Sequence, residues 1–360
     1  MPAQTSTNLS RRRITMSDIA NKAGVAVSTV SSALHDTGRI GDEQRKRIKD
    51  LARELGYRPK LAAQLLPSSR SGRLALLIPT SNPVFTLQSG FAGPIIAEFI
   101  YQCTNNGKGY HIEFINQDKQ NIELPYTGPD AFTSGLSDGA LVIGYVENDV
   151  VRKWLHDNQE QYPYVSLQEP GPMSVSTDYA GGIYQAARHL YEMGHRKIAY
   201  MSTKSHYRVH VESLKGFKRA VEDFSLDTHD GKWIKLIGVQ PHYQDWVRDH
   251  SKNAKTLLKA SNRPTAIISH DVICARTTIY AAMELGLHVP EDVSVITSGS
   301  VYGAEKAPPL LSTVEPDSSS IVREAINLLN TSLMGEPVTR TNIIVDEKLF
   351  QGESVRSLTV

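Results

Sequence analysis

"SDIANKAGVAVSTVSSALHD", residues 17–36, decides how this 360-residue chain is read. Its apolar positions are small and spaced for two short helices. Ile19, Ala20 and Ala23 share one face of the first, behind Thr15 and Asp18, which stand three apart as in a capping box. Gly24 ends that helix in a tight turn. A second helix runs from about Val27 to Leu34 with Val30, Ala33 and Leu34 pointing inward. Ser28, Ser31, Ser32 and His35 fall at i, i+3, i+4 and i+7, on the opposite face. Small residues let the helices cross closely, and the serine face is short enough to bring backbone near phosphates or base edges.

A third helix, about Asp42 to Leu55, has Ile48, Leu51, Ala52 and Leu55 as its buried stripe. Arg45, Lys46, Arg47, Lys49 and Arg53 lie mainly elsewhere. Three short helices with a glycine turn between the first two predict a helix-turn-helix, which sets its second helix in a DNA major groove. A small helical subdomain with a merely solvated serine face fits the same spacing.

Charge separates the two readings in part. Residues 1–73 carry 14 Lys/Arg against 6 Asp/Glu, net +8, while the remainder carries 25 against 32, net −7. A basic front on an acidic body suits an anionic partner, nucleic acid or membrane surface, although a solvated basic tail has the same balance. Residues 1–13 are polar and basic and are expected to be a disordered arm. The two cysteines, Cys103 and Cys274, form no disulfide framework and stand in no metal-ligand spacing, which predicts two core thiols. No signal-peptide pattern opens the chain and no 18-residue apolar run occurs, so a cytoplasmic location with no membrane partner is expected.

After Pro59, Pro67 and "SSRSG" (68–72), which reads as a linker, the pattern changes. Short β-rich runs recur: "RLALLIP" (73–79), "YHIEFI" (110–115), "GALVIGY" (139–145), "YPYVSL" (162–167), "KIAYMS" (197–202), "WIKLIGV" (233–239), "TAIISH" (265–270) and "VSVITS" (293–298). Helical stretches separate most of them. Ala180 to Met193 and Asp271 to Leu285 each end before a glycine, Gly194 and Gly286. The expected fold class is therefore α/β: a three-helix DNA-binding domain (14–58), a hinge helix and linker (59–72), and two α/β lobes (73–360). Spacing alone leaves a barrel open.

"YRPKLAAQLLP" (57–67) holds a helix of about eight residues after Pro59, too short to be stable alone in water. At this point the chain resembles the LacI/GalR family of bacterial transcription regulators. The matching elements are "ITMSDIANKAGV", "STVSSAL", "RIKDLARELGYRP" and this hinge segment. "SNPVF" (81–85), "DGALVIG" (138–144), "HLYEMGHRKIAYM" (189–201), "KGFKRAV" (215–221), "ELGLHVPEDVSVI" (284–296) and "PPLLSTVEP" (308–316) extend the resemblance.

The resemblance implies roles residue by residue. Val27 and Ser28 fall on the positions that read base edges, a thymine methyl and almost any donor or acceptor. Thr15, Thr29 and Ser31 fall on phosphate-touching positions, and Leu66 on the leucine that wedges between base steps in the minor groove. Ser32 and His35 complete the DNA-facing set. The body should be a periplasmic sugar-binding fold with an effector between the lobes. The chain departs from the family in both parts. Ala26 replaces a capping serine or threonine, costing about 1 kcal/mol; Ser32 replaces an arginine, and Lys60 an asparagine. In the cleft, Ser213 stands for an arginine, His270 for an asparagine beside the kept Asp271, and Gly299 of "TSGS" (297–300) for an aspartate. Loss of the arginine and carboxylate grip leaves Phe85, Tyr145, Ser213, Trp246, His270, Asp271 and Ser300 as candidates for a rebuilt effector site, with another effector, or none, as alternatives.

Three other classes are weighed. An enzyme finds no support in G-x-G-x-x-G, P-loop, H-E-x-x-H or G-x-S-x-G patterns, and the twelve histidines are scattered and expected to be mostly exposed. His189 and His195 flank a helix end and are expected to cap it. A free solute-binding protein leaves residues 14–66 without a purpose. A nucleoid-type coater predicts salt-steep binding with little sequence preference. The expectation is a dimeric regulator, a repressor, of operator DNA under a small-molecule effector, with no cofactor and no metal. No leucine heptad follows "GESVRSLTV" to build a tetramer tail, so a homodimer is preferred.

Overall fold

A computed structural model describes residues 15–34, 38–55, 71–88, 91–117, 126–144, 146–238, 243–300 and 307–358. The chain divides near Arg70 into two compact units, each taken by itself.

In the first unit, α1 (Met16–Ala23), α2 (Val27–Leu34) and α3 (Asp42–Glu54) follow one another closely. Thr15 starts α1: its hydroxyl accepts from the Asp18 amide at 3.3 Å, and Asp18 Oδ2 accepts from the Thr15 amide at 2.7 Å. Two otherwise orphaned donors are thereby satisfied. Gly24 then adopts φ +69°, a left-handed conformation that a Cβ makes costly, and the chain turns into α2. The core is Ile19, Ala20, Ala23, Val30, Ala33, Ile48 and Ala52. Leu34, Leu51 and Leu55 remain half-buried on its rim, since a core this small cannot enclose every apolar residue.

The second unit holds two six-stranded sheets. The first comprises β1 (Arg73–Thr80), β2 (Gly109–Asn116), β3 (Gly139–Ile143), β4 (Tyr164–Leu167), β5 (Ser174–Thr177) and β11 (Asn342–Val345). The second comprises β6 (Ile198–Lys204), β7 (Ile234–Gly238), β8 (Ala266–Ser269), β9 (Ser294–Ser298), β10 (Ser312–Pro316) and β12 (Glu347–Phe350). Their orders are β11-β5-β4-β3-β1-β2 and β12-β10-β9-β8-β6-β7. All pairs are parallel except β10–β12. Two open sheets exclude the barrel.

Helices cover both faces, so central strands are apolar throughout, as in Leu74–Ile78. On the first sheet, α4 (Pro83–Gln88) leads into α5 (Ala92–Asn105), which packs with α12 (Ser318–Leu333) on one face; α6 (Asp130–Thr133) and α7 (Asp149–Asp157) take the other. On the second, α8 (Tyr179–Glu192) and α9 (Arg208–Phe224) lie opposite α10 (Tyr243–Lys259) and α11 (Val272–Met283). The chain crosses between lobes at residues 178, 317 and 346, each an aspartate. Asp178 caps α8 at Gly181, and Asp317 caps α12 at Ser320 while holding Lys348 Nζ at 2.6 Å.

Eight strands coincide with the β-rich runs in the sequence. Ser174–Thr177, Ser312–Pro316, Asn342–Val345 and Glu347–Phe350 do not appear among those runs, being short and, apart from the apolar Asn342–Val345, at least half polar or charged. Ser174, Ser176 and Thr177 are nevertheless buried, because side-chain and sheet hydrogen bonds satisfy them: Ser174 Oγ meets Asn342 Oδ1 at 2.7 Å, and Thr177 Oγ1 meets Gln168 Nε2 at 2.8 Å.

Candidate nucleic-acid and ligand sites

Val27 and Ser28 stand exposed on the first turn of α2, Val27 at 46%. Thr29, Ser31 and Ser32 are half-buried behind them. The face that packs inward, Val30 and Ala33, is fully enclosed. Thr15 caps α1 as the Thr15–Asp18 spacing predicts, its hydroxyl donating to Asp18 Oδ2 at 2.7 Å. His35 and Leu66 lie outside the described residues, as do the arm 1–13 and all but the last two residues of the hinge and linker.

In the second unit the carboxyl ends of the two sheets face each other. Tyr207, just after β6, donates its hydroxyl to the Glu147 carboxylate beyond β3. The Arg208 amide donates to Glu169 Oε1 at 3.2 Å, and burial pushes the Glu169 carboxyl up. Strand order in the second sheet reverses between β6 and β8, and open parallel sheets bind ligands at the carboxyl ends beside such a reversal.

Polar side chains gather there. His270 follows β8 directly, and its ring centre lies 4.5 Å from that of His210 on α9. Asp271 caps α11, with Oδ1 accepting from the Cys274 amide at 2.7 Å. Its other oxygen, Oδ2, lies 3.1 Å from His270 Nε2 and 3.4 Å from Cys274 Sγ. Cys274 Sγ is also 3.6 Å from His270 Nδ1. Burial, then the neighbouring His270, pulls His210 down to about 3, so the ring is neutral. Burial, then Asp271, pushes the Cys274 thiol well up, which rules out a resting thiolate nucleophile. Trp246 donates its indole N–H to Thr203 Oγ1 at 3.4 Å and lies against His250, the rings tilted by 51° with centres 4.1 Å apart. A recess of about 200 Å³ opens beside His210, between Thr203, Ser205 and Leu214.

Residues 15–60 match the family described as bacterial regulatory proteins, lacI family, and residues 187–355 match the periplasmic binding protein-like domain. The HTH-type transcriptional repressor PurR of Mannheimia succiniciproducens is 26% identical over 354 residues, 96% of this chain and 99% of that protein. The HTH-type transcriptional regulator DegA of Bacillus subtilis is 27% identical over 353 residues, again 96% and 99%. The chain carries a LacI-family helix-turn-helix domain and a periplasmic-binding-protein-like domain. It is a DNA-binding transcription regulator, as its relatives are, and not an enzyme. The solved lac repressor dimer bound to operator and the anti-inducer ONPF superposes with a TM-score of 0.76 at 18% identity, covering 96% of this chain and 100% of that one. A transcriptional regulator CelR–cellobiose complex gives 0.66 at 22%, covering 95% and 100%. At such identities these likenesses show the fold.

Against the LacI-family pattern, the three exchanged grip positions fare differently. Ser213 is 2% exposed on α9, where its hydroxyl bears on the buried Tyr200. It is part of the core, not an open hand. Gly299 takes φ +137° with Val272 close by, and Ser300 Oγ is buried with no hydrogen-bond partner among the described residues. His270, Asp271 and Trp246 gather within one region; Tyr145 and the side chain of Phe85 lie outside the description.

The expectation of mostly exposed histidines is overturned for His189, His195, His210 and His250. His195 is a core ring bridging Thr265 Oγ1 at 2.9 Å and the Arg356 carbonyl at 3.1 Å, which ties α8's end to β8 and the C-terminal segment. Cys274 is buried as expected, yet its surroundings are polar. His210, His250 and Cys274 were not among the sequence candidates. The signal for Cys274 was present: "HDVIC" sets a histidine and a cysteine one helical turn apart at a helix start.

Proposed function

We propose that this regulator acts as a homodimeric repressor at a pseudo-palindromic operator, under a small-molecule effector bound between the lobes. The exposed Val27–Ser28 pair, on a helix whose other face is fully buried, carries the reading. Val27 contacts a thymine methyl, and Ser28 a base edge; Thr29 and Ser31 flank them toward phosphates, with Ser32 and His35 on the same side. Residues 59–72 form the hinge and linker, and Leu66 wedges into the central base step. Two-fold symmetry in the protein calls for two-fold symmetry in the site. Closing or opening the lobes shifts the hinge separation, a coupling of about 1–3 kcal/mol. Such work is done where the chromosome is, in the cytoplasm.

The effector belongs to a class other than the simple sugars. Ser213 faces the core and Gly299 has no side chain, so the floor offers imidazoles, Asp271, Ser300 and the Trp246 face in place of a guanidinium and a carboxylate fork. Selection from random DNA duplexes with the full-length chain tests the DNA half of the proposal. A two-fold-symmetric consensus supports it; retention of all sequences alike refutes it in favour of a coater.

A further inference from the structure

We infer that His270, Asp271, Cys274 and His210 form a binding site for a borderline-soft divalent cation of the zinc class. Three of the four come from one short stretch. His270 precedes the helix, Asp271 caps it and Cys274 closes its first turn, so α11 fixes all three before any ligand arrives. One ligand atom from each lies within 4.8 Å of the others. Asp271 Oδ2 lies 3.1 Å from His270 Nε2 and 3.4 Å from Cys274 Sγ, and Sγ lies 3.6 Å from the other ring nitrogen, His270 Nδ1. Bonds of 2.0–2.3 Å to a tetrahedral ion set neighbouring ligand atoms roughly 3.3–3.8 Å apart. The sulfur–carboxylate pair already has that spacing, and the imidazole, which can offer only one of its two nitrogens to an ion, completes a triplet within 4.8 Å that closes by a small rotation of the ring.

The carboxylate is divided between two duties. Oδ1 caps the helix at the Cys274 amide, while Oδ2 faces the imidazole and the sulfur. Holding a cation therefore costs the helix nothing. We assign the fourth position to His210 of α9, which stands outside that triplet: its ring lies 4.5 Å from that of His270, and its Nδ1 lies 3.4 Å from Ser202 Oγ, which leaves Nε2 for the ion. A mixed sulfur, imidazole and carboxylate set selects zinc-like ions over magnesium or calcium, which take oxygen ligands.

A second observation bears on the same place. His250 is fully buried and its Nε2 has no hydrogen-bond partner among the described residues, although its Nδ1 is held by the Trp246 carbonyl at 2.9 Å. The His250 ring is near enough to Asp271 and His270 for their charges to act on it. Ser269 Oγ, one residue before His270, is likewise buried without a partner. Orphaned polar atoms of this kind are rare in finished cores and mark a place for an ion or ordered water. The Asp271 side chain is one-third exposed while that of His270 is 9% exposed, which gives the cation a path in. On binding, the cation replaces the thiol proton: a metal–sulfur bond forms, the S–H bond breaks, and one proton leaves to solvent.

Any influence of the cation on operator binding rests on the cleft reading above; the binding itself does not. Full-length protein titrated with cobalt(II) chloride tests it. The expected result is one equivalent bound, with intense visible bands of a tetrahedral ion and a thiolate-to-cobalt charge-transfer band, both displaced by zinc. Cys274→Ser loses the charge-transfer band and Cys103→Ser keeps it, each variant being checked for an unchanged far-ultraviolet spectrum. His210→Gln keeps the thiolate and weakens binding by about tenfold or more, so the proposal stays testable if Cys274→Ser fails to fold. Absence of the charge-transfer band at saturating cobalt, or its survival in Cys274→Ser, overturns the site. DNA binding measured on the same samples reports separately on the regulator reading.

Discussion

Asp271 binds the Cys274 amide with one oxygen and faces the Cys274 sulfur with the other, at 2.7 and 3.4 Å. That double relation places the start of a helix, a thiol and an imidazole at the carboxyl edge of the second sheet. Helix capping, a matter of stability, and cleft chemistry, a matter of function, share one residue.

Capping matters equally in the DNA-binding unit. Thr15→Ala removes the one hydroxyl that both accepts from the Asp18 amide and donates to the Asp18 carboxylate. The expected cost is about 1 kcal/mol to that unit. Urea unfolding followed by far-ultraviolet circular dichroism should show an earlier loss of helix, with the lobes unaffected.

Gly216 sits in the middle of α9, where helix propensity alone makes Gly→Ala stabilising by about 1 kcal/mol. Here the added Cβ would stand 2.1 Å from the Ala180 carbonyl oxygen on α8. Backbone cannot yield as a flexible side chain does. Gly216→Ala is expected to lower the thermal midpoint, and a raised midpoint would show that the two helices can part freely.

His195 is held down to about 4 against an ordinary 6.5, chiefly by burial. The unfolded chain therefore binds the proton more readily between those values. Stability is complete above pH 6.5 and declines as pH falls toward 4, by up to about 1.4 kcal/mol per pH unit for this ring. His195→Gln should be less stable at pH 7 and should flatten the profile of unfolding midpoint against pH. A profile with unchanged slope would move the proton uptake elsewhere, His210 first.

Glu347 presents the opposite sign. Its carboxylate is buried, both oxygens lack partners among the described residues, and burial followed by Asp178 drives its pKa well up. The native state keeps the proton that the unfolded chain releases above about 4.5, so this residue's contribution falls as pH rises past that value. Glu347→Gln copies the neutral acid and should raise the midpoint at pH 8 more than at pH 5. Equal shifts at both would indicate an ionised, solvated carboxylate.

Leu66→Ala removes the wedge proposed for the central base step, and both folded units are expected to stay intact. Operator affinity should fall by tenfold or more, a loss of about 1.4 kcal/mol, with unchanged circular dichroism. Undiminished affinity in a gel-shift titration would remove the wedge.

Legibility in the sequence followed the strength of local constraint. The helix-turn-helix was readable because Thr15–Asp18, Gly24 and the alanine spacing each act within a few residues of themselves. Strands buried on both faces were readable as apolar runs. The four missed strands are polar or short, and only distant partners make them strands, as Asn342 does for Ser174. The cleft was half readable. His270 and Asp271 adjoin in sequence, but His210 and His250 reach the same place from α9 and α10, and nothing local announces that meeting. Ser213 was named for standing at the family's arginine position, and its burial against Tyr200 depends on packing that no local pattern announces.

The central claim is that this chain recognises a particular DNA sequence. Fluorescence anisotropy at one fixed salt concentration, comparing the duplex won by selection with a scrambled duplex of equal length, tests it most directly. The account predicts at least a thousandfold tighter binding to the selected duplex, collapsing toward the scrambled value in Ser28→Ala combined with Val27→Ala. Equal affinities for both duplexes, falling together as salt rises, would contradict it.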